Sequence, residues 1–377
     1  MIAAIRSEVS VNEPVLYVAF ELGKKEWKLA MTSGFGRPPW LRTIASADLG
    51  AVERAVRSGR ERFGLPASAR VVSCYEAGRD GFWIHRAVQR LGFENRVVDS
   101  ASIEVNRRAR RTKTDRIDAL KLVMMLVRAC GGERRVFAEV RVPTAEAEAA
   151  RHRSRERTAL VREQTRLRNQ IGSWLATCGC RVTARTRQHD AWWTGVRDWA
   201  DAALPTQVQA RIARAEARLA IVAEQVAAIA ASQGQTTHQA DPNSALARLV
   251  RLKGVATTSA AVLLDEGVVW RAFQNRRQLG GLLGFAPAHY DSGDSSRDQG
   301  ISRAGNKRLQ SVMVQLAWGW VHWQRQSALT RWYQERFGRG KRARRVGIVA
   351  LARKLLIALW RYATAGVLPA GAVLKAA

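Results

Sequence analysis

The sequence predicts an α/β amino-terminal domain, a helical coiled-coil insert and a mainly α carboxyl-terminal domain. Three observations predict this. Two apolar runs joined by a short Gly-Lys-Lys-Glu turn read as a hairpin, and strand-like and helix-like segments alternate after it, the pattern of an α/β layer architecture. From about Pro143 the chain turns rich in Ala, Arg, Glu and Gln, with apolar residues at heptad-like spacing. From residue 245 onward it reads as mainly helical. The boundaries are drawn at 1–140, 141–235 and 236–377.

In the first segment, residues 15–22 and 27–32 read as the two hairpin strands. Residues 46–63 read as a helix, 70–75 as a buried strand ending at Glu76, 81–91 as a helix and 95–99 as a short strand. The helix that follows opens with Thr114, Asp115, Arg116, Ile117 and Asp118. In the second segment, Leu160, Leu167, Ile171 and Trp174, then Ile212, Leu219, Val222, Val226 and Ile229, mark two long helices. These suggest an antiparallel coiled coil, with an ordinary helical bundle as the alternative. The polar stretch Gly234 to Asn243 breaks the pattern and reads as a linker. Residues 249–255 and the apolar helix after them resemble half of a helix-hairpin-helix, whose turn offers backbone N–H groups to phosphate. A helix over 307–324 places Leu309, Met313, Leu316 and Trp320 on one apolar face, read as core. The run from Arg339 to Arg345 precedes a final amphipathic helix and reads as a phosphate-contact patch or a solvated loop.

Lys and Arg number 62 against 32 Asp and Glu, a formal charge of +30 over 377 residues. Such an excess repels itself within a lone globule and points to a polyanionic partner, nucleic acid foremost. Cys178 and Cys180 have one residue between them and no second pair follows, which does not match a zinc knuckle. The four cysteines therefore read as free thiols in a reducing cytoplasm. No signal-peptide pattern is present. Arg353 and Lys354 interrupt the apolar segment 346–360, so no membrane span is expected.

Asp115 and Asp118 stand three apart on one helix face. The basic run Arg107, Arg108, Arg110, Arg111 and Lys113 comes just before them. Carboxylates beside clustered cations suit a divalent metal held over a phosphate backbone. Glu21 near the end of the first strand and Glu76 at the end of a later one lie where open α/β sheets bind ligands. Together the four could clamp two metal ions. Each taken singly also reads as a cap or a salt-bridge partner.

The order Glu21, Glu76, Asp115, Asp118 resembles the acidic DEDD signature of insertion-sequence transposases of the one-ten family, whose amino-terminal domain is RuvC-like, of ribonuclease-H type. The family pattern begins with Asp, where this chain has Glu21. The second half is similar to the family's serine-bearing transposase domain. Residues 279–287 lead into a polar Ser-Gly loop at Tyr290, Asp291, Ser292, Gly293 and Asp294, and residues 300–306 follow the family's Gly-Ile-Ser-Lys-x-Gly-Asn, with Arg303 at the Lys position. The family's nucleophilic serine maps onto Ser292. Ser295, Ser296 and Ser302 are its competitors, and Ser302 also reads as the N-cap of the next helix. A serine attacking a phosphodiester must be activated and needs cations nearby, for which Arg297, Arg303, Lys307 and Arg308 are candidates. His289 is a candidate local base.

The resemblance implies a DNA transposase and recombinase that excises and inserts its own element through a phosphoserine intermediate, with Mg2+ at the acidic site. It further implies a structured guide (bridge) RNA pairing with donor and target DNA, and a dimer or tetramer joined through the long helices. A bacterial cytoplasmic, nucleoid-associated location follows. Two rival readings remain: a RuvC-like metal-dependent nuclease that uses water, and a non-catalytic nucleic-acid-binding protein.

Overall fold

A computed structural model describes residues 13–103, 115–183, 186–271, 273–292, 295–302 and 305–376. The chain divides into two compact units, 1–143 and 144–377, each described by itself.

The first unit is built on a five-stranded mixed sheet. Strands β1 (Val15–Leu22), β2 (Glu26–Thr32) and β3 (Trp40–Ala45) form an antiparallel meander. Strands β4 (Arg70–Glu76) and β5 (Glu94–Val98) run parallel to β1, giving the order β3-β2-β1-β4-β5. The hairpin is tight because Gly23 N–H donates to Glu26 O at 3.0 Å, with that carbonyl so close that a Cβ at residue 23 would strike it. Helix α1 (Leu49–Arg62) starts after Asp48, whose carboxylate accepts from Ala51 N–H at 2.8 Å. Helix α2 (Trp83–Arg90) precedes β5, and α3 (Asp115–Cys130) follows it. Strand β3 was not expected. It follows Pro38 and Pro39, is half-exposed, and lacks a clean period-two pattern.

Strand alternation splits the core between the two sheet faces. Leu16, Val18, Phe20, Leu29, Met31, Val71 and Tyr75 pack with α1 and α2 residues Val52, Val56, Ile84 and Val88. Ala19, Ala30, Val72, Cys74 and Val98 pack instead against Ala119, Leu122, Val123 and Leu126 of α3.

The second unit opens with two helices of 33 residues, α4 (Ala145–Thr177) and α5 (Thr206–His238). They run antiparallel, since Arg153 Nη1 donates to Ser232 Oγ at 3.4 Å while Arg211 stacks 4.4 Å over Trp174 near their other ends. Leu167, Ile171, Leu175, Ile212 and Ala215 form their buried seam with Trp192. The expected linker at 234–243 is shorter than read, because α5 continues to His238. Gln233 is buried there, and that packing offsets the roughly 1 kcal/mol that Gly234 costs a helix.

Helices α6 (Ala245–Arg251) and α7 (Thr257–Asp265) flank the expected helix-hairpin-helix turn. The chain's own end covers that turn: Lys253 N–H donates to Val373 O, and Lys375 Nζ donates to Val250 O and Val255 O. Helix α8 (Arg276–Leu283) comes next, then strands β6 (Pro287–Ser292) and β7 (Ser295–Ile301), where a loop was expected. Helices α9 (Lys307–Trp323), α10 (Ala328–Phe337) and α11 (Lys341–Ala365) complete the unit. Leu309, Met313, Leu316 and Trp320 are core, as expected. The basic run 339–345 does not precede α11 but enters it, forming its first turn from Lys341. All four cysteines are free thiols, and among the described residues no helix is long and apolar enough to cross a membrane.

Candidate active site

The acidic residues of the first unit share one sheet face. Odd positions of β1 (Tyr17, Ala19) and even positions of β4 (Val72, Cys74) meet α3, so alternation assigns Glu21 and Glu76 to that same face. The parallel register pairs Phe20 with Tyr75, and the next step sets Glu21 beside Glu76 at the carboxyl ends of neighbouring strands. Lys28 stands opposite Glu21 on β2. The backbone beyond Glu76 is fastened, with Ala77 N–H donating to Val98 O at 2.8 Å and Ser100 Oγ to Ala77 O at 2.7 Å.

Helix α3 lies antiparallel to these strands. Cys74 Sγ sits 3.9 Å from Leu122 O. Cys130, at the other end of α3, is close to Tyr17; burial first, and then this thiol, push the Tyr17 hydroxyl up. The amino end of α3 is therefore at the carboxyl ends of β1 and β4. From Leu122 back to Asp118 the helix covers about 6 Å, and from Cys74 to Glu76 the strand covers about 6.6 Å. Asp118 is thus level with Glu76 and Glu21, and Asp115 is about one turn further out. Asp115, Ala119, Leu122 and Leu126 continue one stripe, whose last three members are buried on the sheet.

This arrangement supplies hard oxygen donors from β1, β4 and α3, the ligand type Mg2+ takes. Among the described residues no three His, Cys, Asp or Glu side chains gather closely enough to hold a metal ion. The carboxylate oxygens of Glu21, Glu76, Asp115 and Asp118 are the donor type a hard cation takes. The basic residues Arg107, Arg108, Arg110, Arg111 and Lys113 lie outside the described residues, as does Arg303.

In the second unit Ser292 ends β6 at the tip of the hairpin, paired with Ser295. The register also pairs Tyr290 with Arg297 and His289 with Asp298. The hairpin base is pinned. Ser302 N–H donates to Ala286 O at 2.9 Å, Ser302 Oγ to Gly284 O at 3.1 Å, and Asn306 N–H to Leu282 O at 2.9 Å. Ser302 is thus not the N-cap of α9. Asn306 is, accepting from the N–H groups of Arg308 and Leu309 at 3.1 Å each. Gly305 is required at this crossing: a Cβ there would sit 2.5 Å from Gly284 N and 2.6 Å from Leu283 C.

Sequence reasoning missed Glu266. It caps α7, is fully buried, and ties three helices together. Its carboxylate accepts from Arg155 at 3.0 and 3.1 Å, from Arg308 at 3.0 Å and from Asn306 Nδ2 at 2.6 Å, with Arg151 3.6 Å away. Burial pushes this carboxyl up, but the hydrogen bonds of Arg155 and Asn306 and the charge of Arg155 outweigh it and hold the pKa at about 2. Burial pushes its neighbour Asp265 up, against a hydrogen bond from Ser154. Arg308, read as a phosphate contact, turns inward: only 13% exposed, it also donates to Thr158 Oγ1 at 3.0 Å and Ser154 Oγ at 2.7 Å. Lys307 lines an open depression with Arg155, Thr158 and Arg162. The signal available was an acidic pair closing the apolar run 260–264, with Arg151 and Arg155 one turn apart upstream.

Residues 246–334, spanning α6 to α10 and the Ser292 hairpin, match the model of the transposase family IS116/IS110/IS902. A Sinorhizobium fredii protein, y4rJ, whose transposase name is itself provisional, is 39% identical over 97% of this chain and 96% of its own length. A second provisional transposase of that organism, y4qE, is 28% identical over 85% of this chain and 80% of its own. The transposase for insertion sequence element IS1328 of Yersinia enterocolitica is 26% identical over 48% of this chain and 52% of its own.

Proposed function

The chain belongs to the IS116/IS110/IS902 family of transposases, and from that premise we propose that it excises and inserts its own insertion sequence through a phosphoserine–DNA intermediate formed at Ser292. The observation that carries the reading is the common level of Glu21, Glu76 and Asp118 on one sheet face. The sheet order β3-β2-β1-β4-β5, with α3 on the acidic face, supports a RuvC-like, ribonuclease-H-type domain.

In the proposed step the Ser292 hydroxyl attacks phosphorus. A Ser Oγ–P bond forms, one P–O bond of the strand breaks, and the leaving oxygen takes up a proton. The phosphoserine keeps the ester energy, so a strand hydroxyl reverses the step and rejoins DNA without a nucleotide cofactor. Arg297, Arg303 and Lys307 are the candidates to steady charge on the phosphate. Arg308 and Asn306 act indirectly, by fixing the amino end of α9 through Glu266. Glu21, Glu76, Asp115 and Asp118 would hold Mg2+, which when bound polarises the scissile phosphate as a Lewis acid.

The same reading includes a structured guide RNA that pairs with donor and target DNA. Arg107, Arg108, Arg110, Arg111 and Lys113 would form part of the nucleic-acid track. It also includes a dimer or tetramer at work on the bacterial nucleoid, and the three-domain division 1–140, 141–235 and 236–377.

The test is a denaturation-resistant protein–DNA adduct trapped on a labelled suicide substrate with Mg2+ and the element's RNA. The wild type should form it and Ser292→Ala should not. An adduct formed by Ser292→Ala removes the serine assignment. Mg2+-dependent cleavage that Asp118→Ala abolishes, with no adduct from any variant, replaces the recombinase with a water-using nuclease.

A further inference from the structure

The antiparallel pair α4 and α5 carries an open groove lined by Arg166, Gln170 and Trp174 from one helix and Arg211, Arg214 and Arg218 from the other. Four guanidiniums and no carboxylate line it. Arg166 has one surface partner, Glu163 at 3.4 Å. Arg211, Arg214 and Arg218 make no ion pair among the described residues; Arg218 Nε donates only to Arg214 O, at 3.3 Å. Their spacing of three and four residues stacks like charges on one helix face, which destabilises a bare helix. Arg166 and Arg218 add a further like-charge juxtaposition across the groove.

We propose that this groove holds a nucleic-acid phosphodiester backbone. A polyanion removes the like-charge repulsion that nothing in the lining offsets. The Arg211 guanidinium carbon sits over the Trp174 ring, 4.4 Å from its centroid, a contact that holds the group in place and leaves N–H groups for phosphate. The same stacking covers that ring face, so the groove offers no base platform there and reads backbone, not sequence. From Arg166 to Trp174 the groove runs about 12 Å, the rise of roughly three to four base pairs at 3.4 Å each. Four guanidiniums match that phosphate number. The proposal rests on nucleic acid as the partner, and it is independent of the serine chemistry because its readout is binding alone.

The test compares the full-length wild type with R211Q/R214Q/R218Q, titrating a labelled DNA duplex and a labelled single-stranded RNA of equal length across a salt series. A control, R54Q/R57Q/R62Q on α1, removes the same charge elsewhere. For duplex DNA the groove variant should lower the slope of log K against log salt by about three, and by about two for a single strand. Affinity at 0.15 M salt should fall roughly a hundredfold. The substrate that shows the loss identifies the strand held. R214Q alone, should the triple variant misfold by circular dichroism, should lower the slope by about one. Unchanged slopes for both nucleic acids overturn the proposal, as does an equal fall in the control. Unchanged slopes with an altered oligomeric mass make the groove a subunit contact and overturn it too.

Discussion

Replacing Glu266 with Gln keeps the size and most hydrogen-bonding capacity of the side chain but removes the charge that Arg155 and Arg308 share. Holding this carboxyl at about 2 rather than the ordinary 4.5 corresponds to roughly 3 kcal/mol of stability, at about 1.36 kcal/mol per pH unit. Because the folded value is depressed, that contribution is complete above pH 4.5 and disappears as the pH falls toward 2. By pH 3 about 2 kcal/mol of it is gone. At pH 7 the variant also leaves Arg308 (13% exposed) and Arg151 (21% exposed) without their counter-charge, while Arg155, 47% exposed, stays solvated. The cost therefore lies at the lower end of the roughly 3–5 kcal/mol lost when one partner of a buried pair is removed. The assay is urea denaturation followed by tryptophan fluorescence, for both proteins at pH 7, 5 and 3. The gap between wild type and E266Q should be about 3 kcal/mol at neutral pH and shrink by about 2 at pH 3. A gap that is the same at all three pH values refutes the charge argument, leaving only shape.

Asp118→Asn should leave the thermal midpoint within a few degrees of wild type and lower Mg2+-dependent strand cleavage by more than about a hundredfold, measured on a labelled substrate. Gly305→Ala drives a methyl into the backbone of residues 283–284; it should destabilise the second unit by about 1–3 kcal/mol in the same urea assay. Cys74 is fully buried, and burial pushes its thiol far above the ordinary range. At pH 8 a thiol reagent should label partly exposed Cys178 in the native protein and reach Cys74 only after denaturation, as read by peptide mapping.

The strands of the first unit were legible to within a residue or two, because β1, β2 and β4 are dense in apolar and aromatic residues with one or both faces buried. Edge strand β3 escaped, since exposure removes the alternation that marks a strand. The long helices were legible from Leu167, Ile171, Ile212 and Val222, all buried. The end of α5 was misread because tertiary packing overrode Gly234. The acidic residues could be picked out singly, but their common level comes from strand register and helix direction, which no local spacing encodes. Glu266 was invisible for a related reason: its partners Arg155 and Arg308 are 111 and 42 residues away. The hairpin around Ser292 was taken for a loop because residues 289–300 are nearly all polar, with no apolar alternation to mark a strand.

The acidic edge also separates two properties that are usually measured together. The proposed attraction to polyanions rests on a charge of +30 spread through the chain, which does not depend on tertiary packing. The carboxylate set exists only while β1, β4 and α3 are docked, because Glu21 and Asp118 come from elements almost a hundred residues apart. On the proposed function, a gently heated sample should go on retarding DNA in a gel after it has lost the capacity to cut. Retardation measures composition, and cleavage measures topology.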